Sequence, residues 1–345
     1  MIPQTIGDLL AAGQSALRSD LADHIAAGAG DESTVAANRS ALDRWRLVPG
    51  VAVGVGQVST ATEVFGVDLT VPIVTAPMGP MELIDPRGAR AVADGVADAG
   101  GAVGVALTSA PVLEEVATVD APMLFQLYWW GDRDWLASMV QRIEAAGYIG
   151  IIVTVDVPDY GTRWCDVRNR FDHHGQMRLP NLIDAPPDRA TRLAHQASLT
   201  WDDLAWFCSI TVLPVAVKGI LSGTDARRAI GAGADAVYVS NHGGRALAGQ
   251  LGACDAMDEV TAAVAGAVPI IVDGGFRTAE DVAKGLALGA SVIGLGRPIA
   301  WALACGGANG VARYLTLLAD DLRVALTVLG ARSPAELGPG HLRKP

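Results

Sequence analysis

Eight short apolar runs, separated by Ala-rich stretches of helical spacing, set the main constraint on how this chain folds. They are Pro72 to Ala76, Ala102 to Ala106, Met123 to Tyr128, Gly150 to Asp156, Pro214 to Lys218, Ala236 to Ser240, Pro269 to Asp273 and Ser291 to Gly296. Most are rich in Val and Ile and stay apolar at consecutive positions, the pattern of a parallel strand covered on both faces. Between them the spacing predicts helices over 85–99, 134–146, 224–232, 255–265 and 279–288. Gly100, Gly147, Gly233 and Gly289 stand where a helix stops and the next strand begins. A strand followed by a helix is therefore an internal repeat. An open doubly wound sheet shows the same alternation, but eight units in one chain favour closure into an α/β fold, the TIM (β/α)8 barrel.

Residues 1–345 are expected to form a single barrel domain with two additions. Residues 1–70 read as a leading helix, about 5–27, and a connection that caps one end of the barrel. Residues 172–199 lack apolar periodicity, lie between the fourth and fifth strands, and read as a mobile lid loop at the active-site face. A formal charge of -11, with no Lys/Arg cluster, disfavours nucleic acid or an anionic membrane as partner, although a few local arginines can still hold a small anion. The cysteines, Cys165, Cys208, Cys254 and Cys305, are far apart and form no C-x-x-C pair, so they are expected to be reduced and no metal is expected. Asp8 precedes any basic residue at the N-terminus, and no uncharged apolar stretch reaches the ~18 residues of a membrane helix. A cytoplasmic location is expected.

Polar residues gather at the C-terminal ends of the runs, where barrels build their active sites: Gln126 and Tyr128, Asp156, Lys218, Ser240 to His242, Asp273, and Gly296 with Arg297. The most specific stretch is Ser240-Asn241-His242-Gly243-Gly244-Arg245, which delivers a histidine, two glycines and an arginine to one small region. Glycine allows close backbone approach, and arginine grips a carboxylate in bidentate fashion. Asp273-Gly274-Gly275-Phe276-Arg277 and Gly296-Arg297-Pro298 follow the seventh and eighth runs, where barrels bind phosphate.

These motifs, with Ala76-Pro77-Met78, Phe125-Gln126-Leu127-Tyr128, Thr154-Val155-Asp156, Arg168-Asn169-Arg170-Phe171 and Lys218-Gly219-Ile220, resemble the FMN-dependent 2-hydroxy acid oxidase and dehydrogenase family over nearly the whole chain. The stretches 31–39 and 297–303 look closest to the hydroxymandelate oxidases. The resemblance implies that Met78, Gly79, Ala106, Gln126, Thr154 and Ser240 touch the flavin ring or ribityl chain, and that Asp273, Gly275, Arg277, Gly296 and Arg297 hold the ribityl and phosphate groups. It places Lys218 beside the flavin, where positive charge stabilises the reduced anion. It makes His242 the base that takes the substrate hydroxyl proton, with Asp156 as its acid partner. Arg163 and Arg245 become the clamp on the substrate carboxylate, and Tyr128 hydrogen-bonds the reacting oxygen or the carboxylate. The family further implies a homotetramer, and because no haem domain or membrane segment for passing electrons onward is read in the chain, oxygen is the expected electron acceptor.

Several positions depart from the family pattern. His24 stands where a carboxylate-binding tyrosine is usual, and two readings are open: a hydrogen-bond donor to the substrate, or a histidine packed against the barrel. Ala106 replaces a flavin-contacting serine, and Thr108 stands where glycolate oxidase has a tryptophan, leaving room for a bulky or aryl substrate. Gly79 replaces a common alanine beside the flavin, which bears on oxygen access. Trp129 and Trp130 either shape the pocket or pack on a helix, and His173 and His174 read as exposed lid residues. The competing functional classes are an FMN-dependent diphosphate isomerase, which has no use for His242 paired with a carboxylate-binding arginine, and a non-catalytic flavin-binding homologue.

Overall fold

The computed structural model describes residues 3–172 and 174–344. All eight apolar runs become strands: β1 (Ile73–Thr75), β2 (Ala102–Ala106), β3 (Met123–Leu127), β4 (Gly150–Thr154), β5 (Val215–Ile220), β6 (Ala236–Val239), β7 (Ile270–Val272) and β8 (Val292–Leu295). Each pairs in parallel with its sequence neighbours, and β8 returns to β1 through Ile293↔Ile73, Gly294↔Val74 and Leu295↔Thr75, so the sheet closes. Closure removes the edges of this eight-stranded sheet.

Alternation along the strands separates two apolar cores. Val74, Ala102, Leu124, Ile152, Ala216, Ala236, Tyr238, Ile271 and Val292 point into the barrel. Their strand neighbours, such as Val103, Phe125, Ile151, Val217 and Ile293, meet the surrounding helices. The predicted helices are present as Ala89–Ala97, Arg133–Ala145, Gly223–Gly231, Ala253–Val264 and Ala279–Ala287. Side-chain caps fix several of their starts, with Asp132, Ser222 and Thr278 each accepting a hydrogen bond from the first turn. The last helix, Arg297–Leu329, is broken at Gly306 and Gly307, whose backbone angles are non-helical.

Both additions differ from the expectation. The leading segment is two helices, Ile6–Ala16 and Ser19–Ala26, because Leu17 and Arg18 take extended backbone angles that redirect the chain. Nor does residues 1–70 cap a single end. A hairpin, Thr62–Val64 with Val67–Leu69, contributes Val64 and Leu69 to the barrel interior, and Phe65 packs against this same inner core. The helices Ser19–Ala26 and Ser33–Asp43 lie instead over the C-terminal mouth, bonded to the loops after β6 and β7. The segment 172–199 is not structureless: Arg189–Ser198 is a helix capped by Asp188. Periodicity missed it because its buried anchor is polar. Gln196 accepts from Trp129 N at 2.7 Å and donates to the Thr154 carbonyl at 3.0 Å. Asn181 similarly accepts from Leu113 N at 2.8 Å. Of the two lid histidines, His173 lies outside the described residues.

The helix Ile6–Ala16 packs on the last helix through Gly13, where a Cβ would fall 1.8 Å from the Trp301 carbonyl oxygen. Gly13→Val is therefore expected to lower stability by about 1–3 kcal/mol through overpacking, seen as a lower urea midpoint with unchanged slope; an unchanged midpoint would show that the two helices separate freely.

Candidate active site

Chemistry at the barrel mouth starts from Lys218 on β5. Its side chain is buried, its Nζ donates to Ser240 Oγ at 2.9 Å, and the Asp273 carboxylate lies 3.7 Å away. Two acids share this cation's field, Asp273 after β7 and Asp156 after β4. Burial pushes the Asp156 carboxyl upward, but the charge of Lys218 and the contact with His242 outweigh it and hold Asp156 below the usual carboxylate range. Asp156 is thus an anion, and its Oδ1 lies 3.1 Å from His242 Nδ1.

The backbone enforces that pairing. A bulge in β5 at Gly219, with φ +118°, lets the next strand turn pack on Asp156, where a Cβ would fall 2.5 Å from the Asp156 Cβ. His242 has φ 57°, a left-handed conformation that costs a non-glycine residue of order 1–3 kcal/mol. Its N–H donates to Ser240 Oγ at 3.0 Å, and its ring meets Asp156, so the conformation is held from both ends. Nδ1 being engaged, Nε2 is the nitrogen left to act as base. Asn241 and Asn38 exchange hydrogen bonds at 2.8 and 2.9 Å and tie this loop to the helix Ser33–Asp43.

Five arginines line the mouth, one of them, Arg39, paired with Asp281. Arg245 is half-buried and donates to the carbonyls of His24 at 2.7 Å and Ala27 at 3.0 Å. Arg297 donates to the carbonyls of Ile25, Gly243 and Ala27, each at 2.9 Å. Both cations therefore sit at the C-terminus of Ser19–Ala26, where carbonyls point outward. Burial, with Arg163 and Arg297 nearby, pushes the Arg245 guanidinium well down, and burial with Arg277 pushes Arg297 down to about 10. A guanidinium does not lose its proton, so these shifts record chiefly the burial of two cations that carbonyls rather than carboxylates hold. Arg163 is buried and its Nε donates to Asp166 at 2.7 Å.

His24 settles between its two readings. It is buried against Phe171, and it also faces the cleft. Its Nδ1 lies 3.0 Å from both oxygens of Asp166, and its Nε2 lies 3.2 Å from Arg245 Nη2.

One cleft collects the expected residues. His24, Met78, Gly79, Ala106, Thr108, Gln126, Tyr128, Arg163, Lys218, His242, Arg245, Asp273, Gly275, Arg277, Gly296 and Arg297 all line it. Thr154, Asp156 and Ser240 do not. Ser240, expected against the flavin, is fully buried, and its hydroxyl is spent on Lys218, His242 N and, at 2.6 Å, Asp273. Gly79 has a steric reason: a Cβ there would lie 2.2 Å from Thr108 Oγ1 and 2.8 Å from the Thr108 carbonyl oxygen. The two tryptophans divide the readings given to them. Trp130 stacks on Tyr128 at 4.7 Å between ring centroids, and Trp129 packs edge-on against Trp206 and Phe207.

Sequence reasoning missed Tyr160, Val157 and Met177, which also line the cleft, and Asp166, which joins Arg163 to His24. Tyr160 stands in the turn between Asp156 and Arg163, a place that could have flagged it. Burial raises its hydroxyl to about 12, and burial raises that of Tyr128 further. Both phenols are therefore neutral donors near pH 7.

Among the buried polar atoms without a hydrogen-bond partner are three at this end of the barrel, Gln126 Nε2, Thr154 Oγ1 and Asp156 Oδ2. Orphaned groups of this kind are costly unless a ligand satisfies them. A polar-edged aromatic ring, with a phosphate placed between Arg277 and Arg297, would answer the Gln126 amide and the uncompensated charge.

Comparison with known proteins agrees. Residues 13–344 match the FMN-dependent dehydrogenase family. The chain is 41% identical to an L-lactate oxidase of Nostoc sp. over 337 residues, 93% of this chain and 92% of that one. It is 38% identical to a 4-hydroxymandelate oxidase of Amycolatopsis orientalis over 345 residues, 95% of each chain. A solved structure of mandelate oxidase with (S)-2-phenylpropionate superimposes with a TM-score of 0.91 at 38% identity, covering 99% of this chain and 98% of that chain. The chain belongs to the FMN-dependent dehydrogenase family, and its cofactor is FMN.

The acid Asp166 supplies a pH test. Burial raises its carboxyl, but hydrogen bonds from His24 and Arg163 reverse the effect and hold it well below the usual range. A carboxyl depressed on folding stabilises the protein above its unfolded value of about 4 and loses that contribution as pH falls through the folded value. Asp166→Asn should thus be less stable than wild type at pH ~7 and show a shallower loss on acidification below about 4, measured as urea midpoint against pH; parallel curves would show that the carboxylate carries no such linkage.

Proposed function

We propose that the protein oxidises a 2-hydroxy acid, with a bulky or aryl side chain, to the 2-oxo acid, and passes the electrons to oxygen. The observation that carries the reading is the His242–Asp156 pair opening on a cleft that also holds the cations of Arg163 and Arg245. The 4-hydroxymandelate oxidase and mandelate oxidase resemblances, with Thr108 as a small side chain in the cleft, support the aryl preference. A diphosphate isomerase has no use for this base and clamp together, and a non-catalytic homologue has no use for a strained histidine held on an acid.

In this reading Arg163 and Arg245 bind the substrate carboxylate and align C2. Tyr128, neutral and backed by Trp130, donates a hydrogen bond to the substrate oxygen. His242 accepts the hydroxyl proton at Nε2, and Asp156 stabilises the resulting imidazolium. FMN, when bound, would supply the acceptor for the hydride equivalent released at C2, with oxygen as the final acceptor and hydrogen peroxide as its product. Gln126 and Thr154 would hold the ring's polar edge, Met78, Gly79 and Ala106 its face, Asp273, Gly275 and Gly296 the ribityl chain, and Arg277 and Arg297 the phosphate. Lys218 keeps a positive charge at the ring. Ser240 acts one step away, by positioning Lys218 and His242. The chain works as one domain, as a homotetramer in the cytoplasm.

Anaerobic mixing with mandelate or 4-hydroxymandelate should bleach the flavin absorbance near ~450 nm, and His242→Ala should slow that bleaching by about 10²–10⁴-fold, the usual worth of a general base. Bleaching by glycolate faster than by either mandelate would remove the aryl preference. In air, one hydrogen peroxide should form per substrate consumed; turnover without peroxide would point to another acceptor. Arg245→Lys should raise KM at least ~10-fold by losing bidentate contact, and an unchanged KM would show that the carboxylate binds elsewhere.

A further inference from the structure

The cleft contains an ionisable residue that none of these steps employs. His24 is surrounded by charge: Asp166 at 3.0 Å from Nδ1, Arg245 at 3.2 Å from Nε2, and Arg163, which bonds the same Asp166 at 2.7 Å. Cys165 Sγ lies 3.5 Å from Asp166 Oδ1, and Arg297 reaches the Ile25 carbonyl next in the chain. Asp23, on the other side of His24, is bonded by Asn169 at 2.7 Å.

Arginine can only donate, so Nε2 must accept from Arg245, and the single ring proton lies on Nδ1, facing Asp166. His24 is therefore neutral when no substrate is bound. Burial lowers its proton affinity, and Arg245 and Arg163 act in the same direction, against the raising effect of Asp166. Two arginines and one aspartate give the cluster a net charge of +1, which a substrate carboxylate cancels. When Arg245 turns its Nη2 donor to that carboxylate, Nε2 loses its donor and meets an anion instead. A proton on Nε2 then supplies a third donor to the carboxylate, with Asp166 still holding Nδ1–H.

We propose that His24 is a binding residue of the carboxylate subsite that is neutral in the unliganded enzyme and takes up a proton as a carboxylate binds, so that carboxylate affinity rises as pH falls. It rests on Arg163 and Arg245 being the carboxylate clamp. His24 thereby does as a switchable cation what a tyrosine at this place would do as a permanently neutral donor.

The test is binding of benzoate, which has a carboxylate and no reactive hydroxyl, to the FMN-loaded enzyme. Calorimetry in buffers of different ionisation enthalpy reads proton uptake, and flavin absorbance reads Kd across pH. Wild type should take up a large fraction of a proton and bind about three- to tenfold tighter at pH ~6 than at pH ~7.5, within the tenfold per pH unit that one linked proton permits. His24→Asn and His24→Gln, which cannot be protonated, should lose that uptake and flatten the pH profile. Asp166→Asn should do the same, by removing the charge that stabilises the imidazolium. His242 is present in all of these proteins, so any proton it takes up is common to them. Equal uptake in wild type and both His24 variants, with Arg245→Lys still binding benzoate at least ~10-fold more weakly, would overturn the inference and leave the clamp standing. Wild-type benzoate affinity in Arg163→Lys and Arg245→Lys would overturn the clamp and the inference with it.

Discussion

A lysine ammonium buried at the mouth of a closed barrel is the constraint from which the rest of this site follows. Removing such a charge from water is expensive unless partners surround it, and Lys218 gathers them from three strand ends. Ser240 comes from β6, Asp273 from β7 and Asp156 from β4. Each partner has a second task. Ser240 also receives the His242 N–H, Asp273 reaches the cleft, and Asp156 orients the imidazole. Strands that pair in fixed register hold these atoms in place without any flexible connection. The bulge at Gly219 is the one irregularity in that register, and it is where Asp156 packs.

The second organising feature is an imbalance of charge. The chain as a whole is strongly acidic, yet its cleft is lined by Arg163, Arg245, Arg277 and Arg297. Carbonyls at the end of Ser19–Ala26 solvate two of these, which explains how an N-terminal segment outside the barrel repeat becomes part of the site. Carbonyl dipoles stabilise a cation without cancelling its charge, so the arginines remain able to bind anions. A carboxylate in place of those carbonyls would have closed the same helix on the barrel and disabled the site.

Much of this was legible in the sequence because the signals were periodic or local. Apolar runs gave the strands, and motifs at their ends gave His242, Asp156, Lys218 and the arginines. What escaped were contacts between segments distant in sequence. Asp166 could be seen three residues after Arg163, but its pairing with His24, 142 positions away, depends on how Ser19–Ala26 folds over the mouth. Ser240 looked like a cofactor contact because it sits among such residues, whereas side-chain direction turns it inward to Lys218. The helix Arg189–Ser198 was hidden because its buried face is anchored by an amide, Gln196, and apolar periodicity cannot report a polar anchor.

Gly79 and Thr108 show a different kind of dependence. They lie on consecutive strand-end loops, and the oxygen of one residue occupies the volume that the smallest side chain at the other would need. The two positions therefore behave as a single steric variable. Divergence or laboratory evolution that enlarges residue 79 has to begin by shrinking or turning residue 108. A smaller residue 108 removes the hydroxyl contact but leaves the Thr108 carbonyl oxygen 2.8 Å from such a Cβ. Enlarging residue 79 thus demands a shift of the loop after β2 as well as a change of side chain at 108.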